Sequence, residues 1–208
     1  MTESTTTALG DLLDTFASSD PLPGGGAAAA LTGSIGVSLL LMVTGMAKTR
    51  TGAPEEVADL AAAAARLRPL RERLIALIDE DSAAYLSVLD AFRIAKANTA
   101  DAETRSVAIT RAMRAATEVP LDTMRACERA LREAPAVVRF GNPNAATDAA
   151  VGARLLLAAL EGAGLNVAVN LPGVQDPAYV RDSGAAREAL LLSARNLARQ
   201  TGAVDDAA

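Results

Sequence analysis

The sequence predicts an all-α fold, an antiparallel bundle of about six helices. Apolar residues recur at helical spacing, and no segment shows the two-residue alternation of a strand. Aromatic residues make up only 2% of the 208 residues, so the core must be built from Ala, Leu, Val and Met, which allow close helix packing. The connections are short, as between antiparallel neighbours. We expect one domain over residues 1–200 and a loose tail over 201–208.

The first half of the chain supplies three of these helices. The second helix is expected to begin in or just after Gly24–Gly26 and to end near Lys48. The third covers roughly 54–97, because Pro54 suits a first helical position, and Pro69 is expected to interrupt or kink it. The first is a short amphipathic helix defined by Leu9, Leu12, Leu13 and Phe16.

The second half supplies three more helices. The fourth is expected over about 101–132, bent or broken at Pro120. The segment RFGNPNAATD reads as a turn that leads into a fifth helix over about 144–169. The sixth is expected over about 177–200.

An uncharged run extends from Pro21 to Ala47 and is long enough to span a bilayer. It contains small residues at three- and four-residue spacing, which also allow close contact between helices in water. The neighbouring predicted helices carry plainly charged faces. We therefore expect a buried central helix and no membrane partner.

The PGGG segment at Pro23, Gly24, Gly25 and Gly26 does not match a phosphate-binding loop. No Lys and Ser/Thr follow the last glycine, and a helix precedes the segment where a dinucleotide fingerprint needs a strand. Glycines at a helix start do leave backbone N–H groups and their partial positive charge open to a ligand.

Composition excludes several classes of function. The formal charge of −5 gives no general attraction for nucleic acid. The chain has no histidine and one cysteine, so we expect no metal site, and proton chemistry must use carboxylates, Lys, Tyr, Cys127 or water. The segment MTESTTTA has neither a basic nor an apolar leader region, so we expect a cytoplasmic protein.

Asp81 is the sharpest anomaly in the pattern. It falls between Ile78 and Tyr85 on the apolar stripe of the third helix, where a leucine would fit. Asp81 is either a cap or ion-pair partner of an arginine at 68, 71 or 73, or a desolvated group at a functional site.

A second polar cluster comprises Asn142, Asn144 and Asp148, with Asn166 and Asn170 near the end of the same helix. Asn144 as an N-cap and Asp148 in the first turn also fit an ordinary helix start. Asp148 and Asn166 are separated by five full turns, or roughly 27 Å. They therefore serve opposite ends of the bundle, or a dimer brings different copies together.

Five segments in this order resemble the cyclodeaminase/cyclohydrolase family: PLPGGGAAAALTGSIG, DSAAYLSVLDAFRIAK, ATEVPLDTM, GNPNAATDAAVGARLLLAAL and GAGLNVAVNLPGVQD. The likeness covers about residues 8–181. It implies a close homodimer of all-helical protomers, a tetrahydrofolate derivative as substrate and no permanently bound cofactor. It also implies a pocket near the glycine turn, with Asp81, Tyr85, Asp148 and the four asparagines as motif residues.

The resemblance implies methenyltetrahydrofolate cyclohydrolase activity, in which 5,10-methenyltetrahydrofolate becomes 10-formyltetrahydrofolate. We expect Asp81 to be the catalytic base, with Asp148 as the alternative. The basic residues Lys48, Arg50 or Lys96 are expected to bind the glutamate tail. The alternatives are a formiminotetrahydrofolate cyclodeaminase, which releases ammonia, and a folate-binding or scaffold dimer without catalysis.

Overall fold

The computed structural model describes residues 3–203, with side chains from residue 8 onward. It contains six α-helices and, within the described residues, no strand. Two short 3-10 helices, Pro143–Ala145 and Leu171–Gly173, flank the fifth helix. The helices are α1 (Glu3–Ala17), α2 (Gly25–Thr44), α3 (Pro54–Arg93), α4 (Thr99–Phe140), α5 (Ala146–Asn170) and α6 (Pro177–Gln200). The prediction of an all-α bundle of about six helices is confirmed.

The core is formed by α2 to α6. α2 packs mainly against α3 and α5, and α4 packs against α3, α5 and α6, whereas α1 makes little contact with the rest. The large buried side chains are almost all leucine, valine and methionine, as expected for a chain with so few aromatic residues. Leu9 and Leu13 of α1 are more than half exposed, so the apolar face of α1 is not part of this core.

Close contact between α2 and α5 depends on small residues. A Cβ added at Gly36 would lie 2.8 Å from the carbonyl oxygen of Gly152 and 2.9 Å from Cγ of Leu156. Glycine at position 36 therefore allows the two backbones to approach each other. The contact also determines the position along α2 at which α5 crosses it.

The internal prolines do not divide the long helices. α3 runs through Pro69 and α4 runs through both Pro120 and Pro135. The sequence predicts an interruption or a kink at Pro69; α3 is not interrupted there, because packing against α2 and α4 holds both sides of Pro69 in one helix. α4 also extends to Phe140 instead of ending near residue 132, since Ala134 and Val137 continue its buried face.

Two stretches are long and apolar enough to cross a bilayer by length and composition, α2 and Pro143–Gly173. In α2, 56% of the apolar window is buried inside the bundle, so α2 is the central helix of the core. In the second stretch only 33% is buried. That stretch therefore presents apolar residues on the surface of the chain.

The end of the described chain is packed. Thr201 and Ala203 are buried, and Arg154 donates a hydrogen bond to the carbonyl oxygen of Ala203. The first residues of the predicted tail, Thr201 and Ala203, therefore close the end of the core. Residues 204–208 lie outside the described part of the chain.

The α3–α4 pair is longer than the helices beside it. α2 begins at the level of Asp81, but α3 continues three turns further and α4 starts only at Thr99. Tyr85 and Phe92 are therefore 38% and 50% exposed. The end of this helical hairpin projects past the rest of the bundle, and the candidate site lies where the projection begins.

Candidate functional site

Asp81 lies against the N-terminus of α2. The backbone N–H of Ala27 donates a hydrogen bond to Oδ2 of Asp81 at 3.0 Å. Gly24, the residue before the first turn of α2, has no side chain that could cap the helix. The Asp81 carboxylate takes that role across the bundle, at the end of α2 that carries partial positive charge.

Gly26 makes this contact possible. A Cβ added at Gly26 would lie 2.0 Å from Oδ1 of Asp81 and 2.5 Å from its Cγ, which no side chain can occupy. The next glycine is less crowded, because a Cβ at Gly25 would lie 3.6 Å from Nδ2 of Asn166, an ordinary contact. Gly26 is therefore required by the position of the Asp81 side chain, whereas a methyl group at Gly25 would fit beside Asn166.

Asp81 has no counter-ion among the described residues. Burial raises the pKa of the Asp81 carboxyl above its ordinary value, and the hydrogen bond from Ala27 offsets only part of this effect. The arginine partners considered from the sequence are engaged elsewhere or exposed: Arg73 pairs with Glu80 and Asp122, and Arg71 lies beside Glu72. The carboxylate is thus a partly desolvated group with a free oxygen.

Two amides from the end of α5 face the same region. The side-chain nitrogen of Asn166 donates to the carbonyl oxygen of Gly162 at 3.1 Å, and that of Asn170 donates to Ala116 of α4 at 2.7 Å. Each bond uses the amide nitrogen and leaves the amide oxygen as an acceptor. The bond from Asn170 to Ala116 also fixes the end of α5 against α4.

These groups surround one cavity of about 300 Å³. Its wall is polar on the side of Asp81 and the two amides and apolar elsewhere, which is typical of a small-molecule site. The lining residues are Pro21, Leu22, Gly24, Gly25, Gly26, Asp81, Ala84, Tyr85, Val88, Met113, Ala116, Asn166 and Asn170.

Seven of the predicted site residues line this cavity, and they come from segments far apart in the sequence. They are Gly24, Gly25, Gly26, Asp81, Tyr85, Asn166 and Asn170. Pro23 is half-buried in the same turn, but Pro21 and Leu22 line the cavity instead. Lys96 is exposed in the connection between α3 and α4.

The remaining predicted residues lie at the other end of the bundle, where α2 and α4 end. Within one chain, this end is separated from Asp81 by the length of α2, roughly 30 Å. Arg50 is held there, since its side chain donates to the carbonyl oxygens of Val138 and Arg139. The other four are Lys48, Asn142, Asn144 and Asp148.

The helix start in this second cluster differs from the expectation. Asn142, not Asn144, is the capping residue, and its Oδ1 accepts a hydrogen bond from the backbone N–H of Asn144 at 3.0 Å. A 3-10 turn then precedes α5, which begins at Ala146. Asp148 is half-buried in the first turn of α5, where a carboxylate suits the helix dipole.

The cavity includes residues that the sequence did not single out. Val88 is one of them, and its signal in the sequence is that it lies seven residues after Asp81 on the same face of α3. Met113 and Ala116 carried no signal, because their position depends on how α4 is aligned with α3. Within residues 3–203 no group of three or more Asp, Glu, Cys or His side chains is placed to hold a metal ion.

Fold and site together define an all-α small-molecule-binding protein with a partly buried carboxylate in its cavity. The sequence model of the family described as formiminotransferase-cyclodeaminase matches residues 8–189. The chain therefore belongs to the formiminotransferase-cyclodeaminase family.

Similar proteins carry two different activities in their names. The chain is 35% identical over 182 residues to methenyltetrahydrofolate cyclohydrolase of Methylorubrum extorquens, covering 88% of each chain. It is 29% identical to formimidoyltransferase-cyclodeaminase of Gallus gallus over 76% of its own length, and it spans only 29% of that longer relative.

One solved structure has the same fold. The crystal structure of formiminotetrahydrofolate cyclodeaminase from Thermotoga maritima superposes with a TM-score of 0.82. It covers 93% of this chain and 92% of the Thermotoga chain, at 22% sequence identity.

Proposed function

We propose that this protein hydrolyses 5,10-methenyltetrahydrofolate to 10-formyltetrahydrofolate. The relative that this chain matches along nearly its whole length bears the name of that activity. The observation that carries the proposal is the half-buried Asp81 carboxylate, which has no counter-ion among the described side chains and opens on the cavity.

The substrate complements this carboxylate. The bridging carbon of the methenyl compound belongs to a delocalised amidinium cation, which is electrophilic without a metal ion. The negative charge of Asp81 attracts that cation, and its raised pKa makes it a stronger base near neutral pH. We therefore propose hydrolysis that needs neither a metal nor a permanently bound cofactor.

The proposed hydrolysis has two steps, addition of water and cleavage of the bond to N5. A water molecule loses a proton to Asp81 while its oxygen bonds to the bridging carbon, which quenches the positive charge. The hydroxyl proton of this intermediate then moves to N5, and the bond between the carbon and N5 breaks with its electron pair on N5. The formyl group stays on N10, and the proton taken up by Asp81 is released to solvent.

The rest of the cavity suits the pterin ring. The amide oxygens of Asn166 and Asn170 are available to accept its N–H groups, and the first turn of α2 at Gly25 offers backbone N–H groups to its oxygen. Val88 and Met113 supply apolar contact for the ring faces.

Cyclodeamination is the second candidate, because the matched family and the Thermotoga structure carry that name. In that reaction N10 attacks a formimino carbon and ammonia leaves, through a similar tetrahedral carbon. A folate-binding dimer without catalysis is the third.

Two assays on the purified chain separate the candidates. Loss of the ultraviolet absorbance of the methenyl group reports hydrolysis, and ammonia release from 5-formiminotetrahydrofolate reports cyclodeamination. We expect the first activity to dominate. Ammonia release alone would reverse the assignment, and folate binding without either reaction would support the non-catalytic reading.

We also propose that the protein is a homodimer that pairs through α2 and α5. Apolar side chains are exposed on one face of both helices: Ile35 and Met42 of α2 are seven residues apart, and Val151 and Leu165 of α5 are fourteen residues apart. The charged side chains of α5 turn away toward other elements, since Glu161 pairs with Arg195 of α6. We infer that a second copy of the chain covers this face. We also infer that the protein is cytoplasmic.

Symmetry relates this face to the two polar clusters. Val151 and Leu165 lie seven residues on either side of the exposed Ala158. A two-fold axis at Ala158, with the α5 helices antiparallel, sets each Val151 beside the partner subunit's Leu165. It also brings Asp148 level with residue 168 of the second copy, between the asparagines at 166 and 170. The Asp148 cluster of one copy then lies beside the cavity asparagines of the other.

A further inference from the structure

The projecting end of the α3–α4 hairpin continues the wall of the Asp81 cavity. Tyr85, Val88 and Phe92 share the face of α3 that carries Asp81, because they follow it at helical spacing. Tyr85 and Val88 line the cavity, and Phe92 is 50% exposed one turn beyond them. An apolar strip therefore leads out of the cavity toward the hairpin tip.

Arg105 of α4 lies at the outer end of this strip. It shares a helix face with Ile109 and the cavity residue Met113, at four-residue spacing. Its guanidinium donates to the carbonyl oxygen of Phe92 at 3.1 and 3.4 Å and lies over the Phe92 ring, 5.4 Å from its centroid.

The charge of Arg105 is not neutralised within the described chain. Arg105 is half-buried and makes no ion pair there, whereas the neighbouring Arg93 pairs with Asp90. A positive charge held in place beside an aromatic ring and an open apolar strip suits a ligand with an aromatic middle and an anionic end.

We propose that Arg105 binds the carboxylates of the glutamate tail of the folate substrate, with the aminobenzoyl ring lying along Val88 and Phe92. This inference rests on the proposed function, because it names the tail-binding residue of the same site. It adds Arg105 to the residues expected to hold the tail, which are Lys48, Arg50 or Lys96; within one chain, Lys48 and Arg50 lie at the other end of the bundle.

The distances agree with the size of the ligand. Phe92 is four residues, or roughly 6 Å, beyond the cavity residue Val88, and Arg105 is eight residues, or roughly 12 Å, beyond the cavity residue Met113. An aromatic ring with an amide-linked glutamate spans about two helical turns, the same length. The pterin ring can thus stay beside Asp81 while the carboxylates reach Arg105.

A purely structural role for Arg105 makes a different prediction. Its bond to Phe92 satisfies a carbonyl in the last turn of α3, as a C-terminal cap would. Loss of that cap would lower stability without changing which folates bind. The test therefore compares two ligands that differ only in tail charge: the stable analogue 5-formyltetrahydrofolate and its glutamate dimethyl ester.

Calorimetric titration of the full chain with both ligands measures the preference for the free acid. We expect Arg105→Met to weaken binding of the acid about tenfold and to leave binding of the ester unchanged. Arg105→Lys keeps the charge and should restore most of the preference. Arg111→Met is the matched control, because Arg111 is exposed on a different face of α4 and lines grooves away from Asp81.

The outcomes distinguish this inference from the proposed function. An unchanged preference in Arg105→Met, or its loss in Lys48→Met instead, would overturn the role of Arg105 alone. Wild-type protein that binds the acid but hydrolyses no methenyl substrate would contradict the proposed function and still leave the preference measurable. Wild-type protein that binds neither ligand would overturn both.

Discussion

Oδ2 of Asp81 accepts a hydrogen bond from the backbone N–H of Ala27, 54 residues earlier, at 3.0 Å. One interaction thus joins the apolar stripe of α3, which Asp81 interrupts, to the start of α2. It holds the carboxylate by a single bond, and burial outweighs that bond, so the pKa of Asp81 stays raised. The same side chain caps a helix and lines the cavity, and its second oxygen has no hydrogen-bond partner among the described residues.

Asp81→Asn should abolish most of the activity without unfolding the protein. The amide can still accept from Ala27 but cannot take a proton from water, so we expect the rate to fall roughly 10²- to 10⁴-fold. A raised pKa means that burial disfavours the charged form, and stability is lost as pH rises through the folded pKa. The variant should therefore be at least as stable at pH 7, as measured by urea denaturation.

The matched control is Asp79→Asn, an exposed carboxylate two residues earlier on α3. It should keep wild-type rates. The wild-type rate should also fall as pH drops below the raised pKa of Asp81. Normal methenyl hydrolysis by a folded Asp81→Asn variant would remove Asp81 from its role as base.

Gly26→Ala should disable the site by displacing Asp81. The new methyl group would lie 2.0 Å from Oδ1, so the carboxylate must leave its position and lose its bond to Ala27. We expect a rate loss as large as that of Asp81→Asn. Gly184→Ala, in open space on α6, is the control for adding a methyl group to a helix. Crystallography of the variant should show Asp81 moved; an unmoved carboxylate with full activity would contradict the packing argument.

Much of the fold could be predicted from the sequence, because helical periodicity is a local property. The limits of α6 agree with those expected from Pro177 and the last apolar residues. Two differences in the helices concern prolines: Pro69 and Pro135 lie inside helices that neighbouring helices hold together, and local sequence rules do not describe that packing.

The site was predictable only in part. Asp81 stood out because a charge on an apolar stripe breaks a periodic pattern. The separation of Asp148 from Asn166 followed from helix geometry alone. Met113 and Arg105 could not be identified, since their place depends on the register between α3 and α4, which a single sequence does not specify.

Gly36→Ala should destabilise the bundle while Gly184→Ala stabilises it. The methyl group at position 36 would meet Gly152 at 2.8 Å and force α5 away from α2. We expect a loss of about 1–3 kcal/mol in the free energy of unfolding. At Gly184, added helix propensity should contribute roughly 0.5–1 kcal/mol. Denaturant midpoints measure both, and equal effects at the two sites would refute the close contact.

Part of the free energy of unfolding should depend on the ionisation of Glu56 and be lost at acidic pH. Its side chain accepts from the Thr49 hydroxyl at 2.6 Å and from the backbone N–H of Thr51 at 2.8 Å, which lower its pKa from 4.5 to about 2. A lowered folded pKa gives stability that is present above pH 4.5 and is lost as pH falls toward 2.

The difference in unfolding free energy between wild type and Glu56→Gln should therefore be largest near neutral pH and shrink between pH 4.5 and 2. Glu55→Gln, the exposed neighbour, serves as the control and should show no such trend. Urea denaturation at a series of pH values measures it. A constant difference across this range would show that the Thr49 and Thr51 bonds do not set the ionisation of Glu56.

Leu165→Glu should separate the proposed dimer. Leu165 is 68% exposed in the single chain, so the charge costs the fold little, but in an antiparallel α5 pair it would be buried against the partner subunit's Val151. Analytical ultracentrifugation should show a monomer, with activity reduced because the partner's Asp148 is lost from the site. Leu192→Glu, 64% exposed on α6, should remain dimeric and active. A Leu165→Glu protein that stays dimeric would place the interface on another face. The proposed α5 pairing would then no longer bring Asp148 of one copy beside the Asp81 cavity of the other.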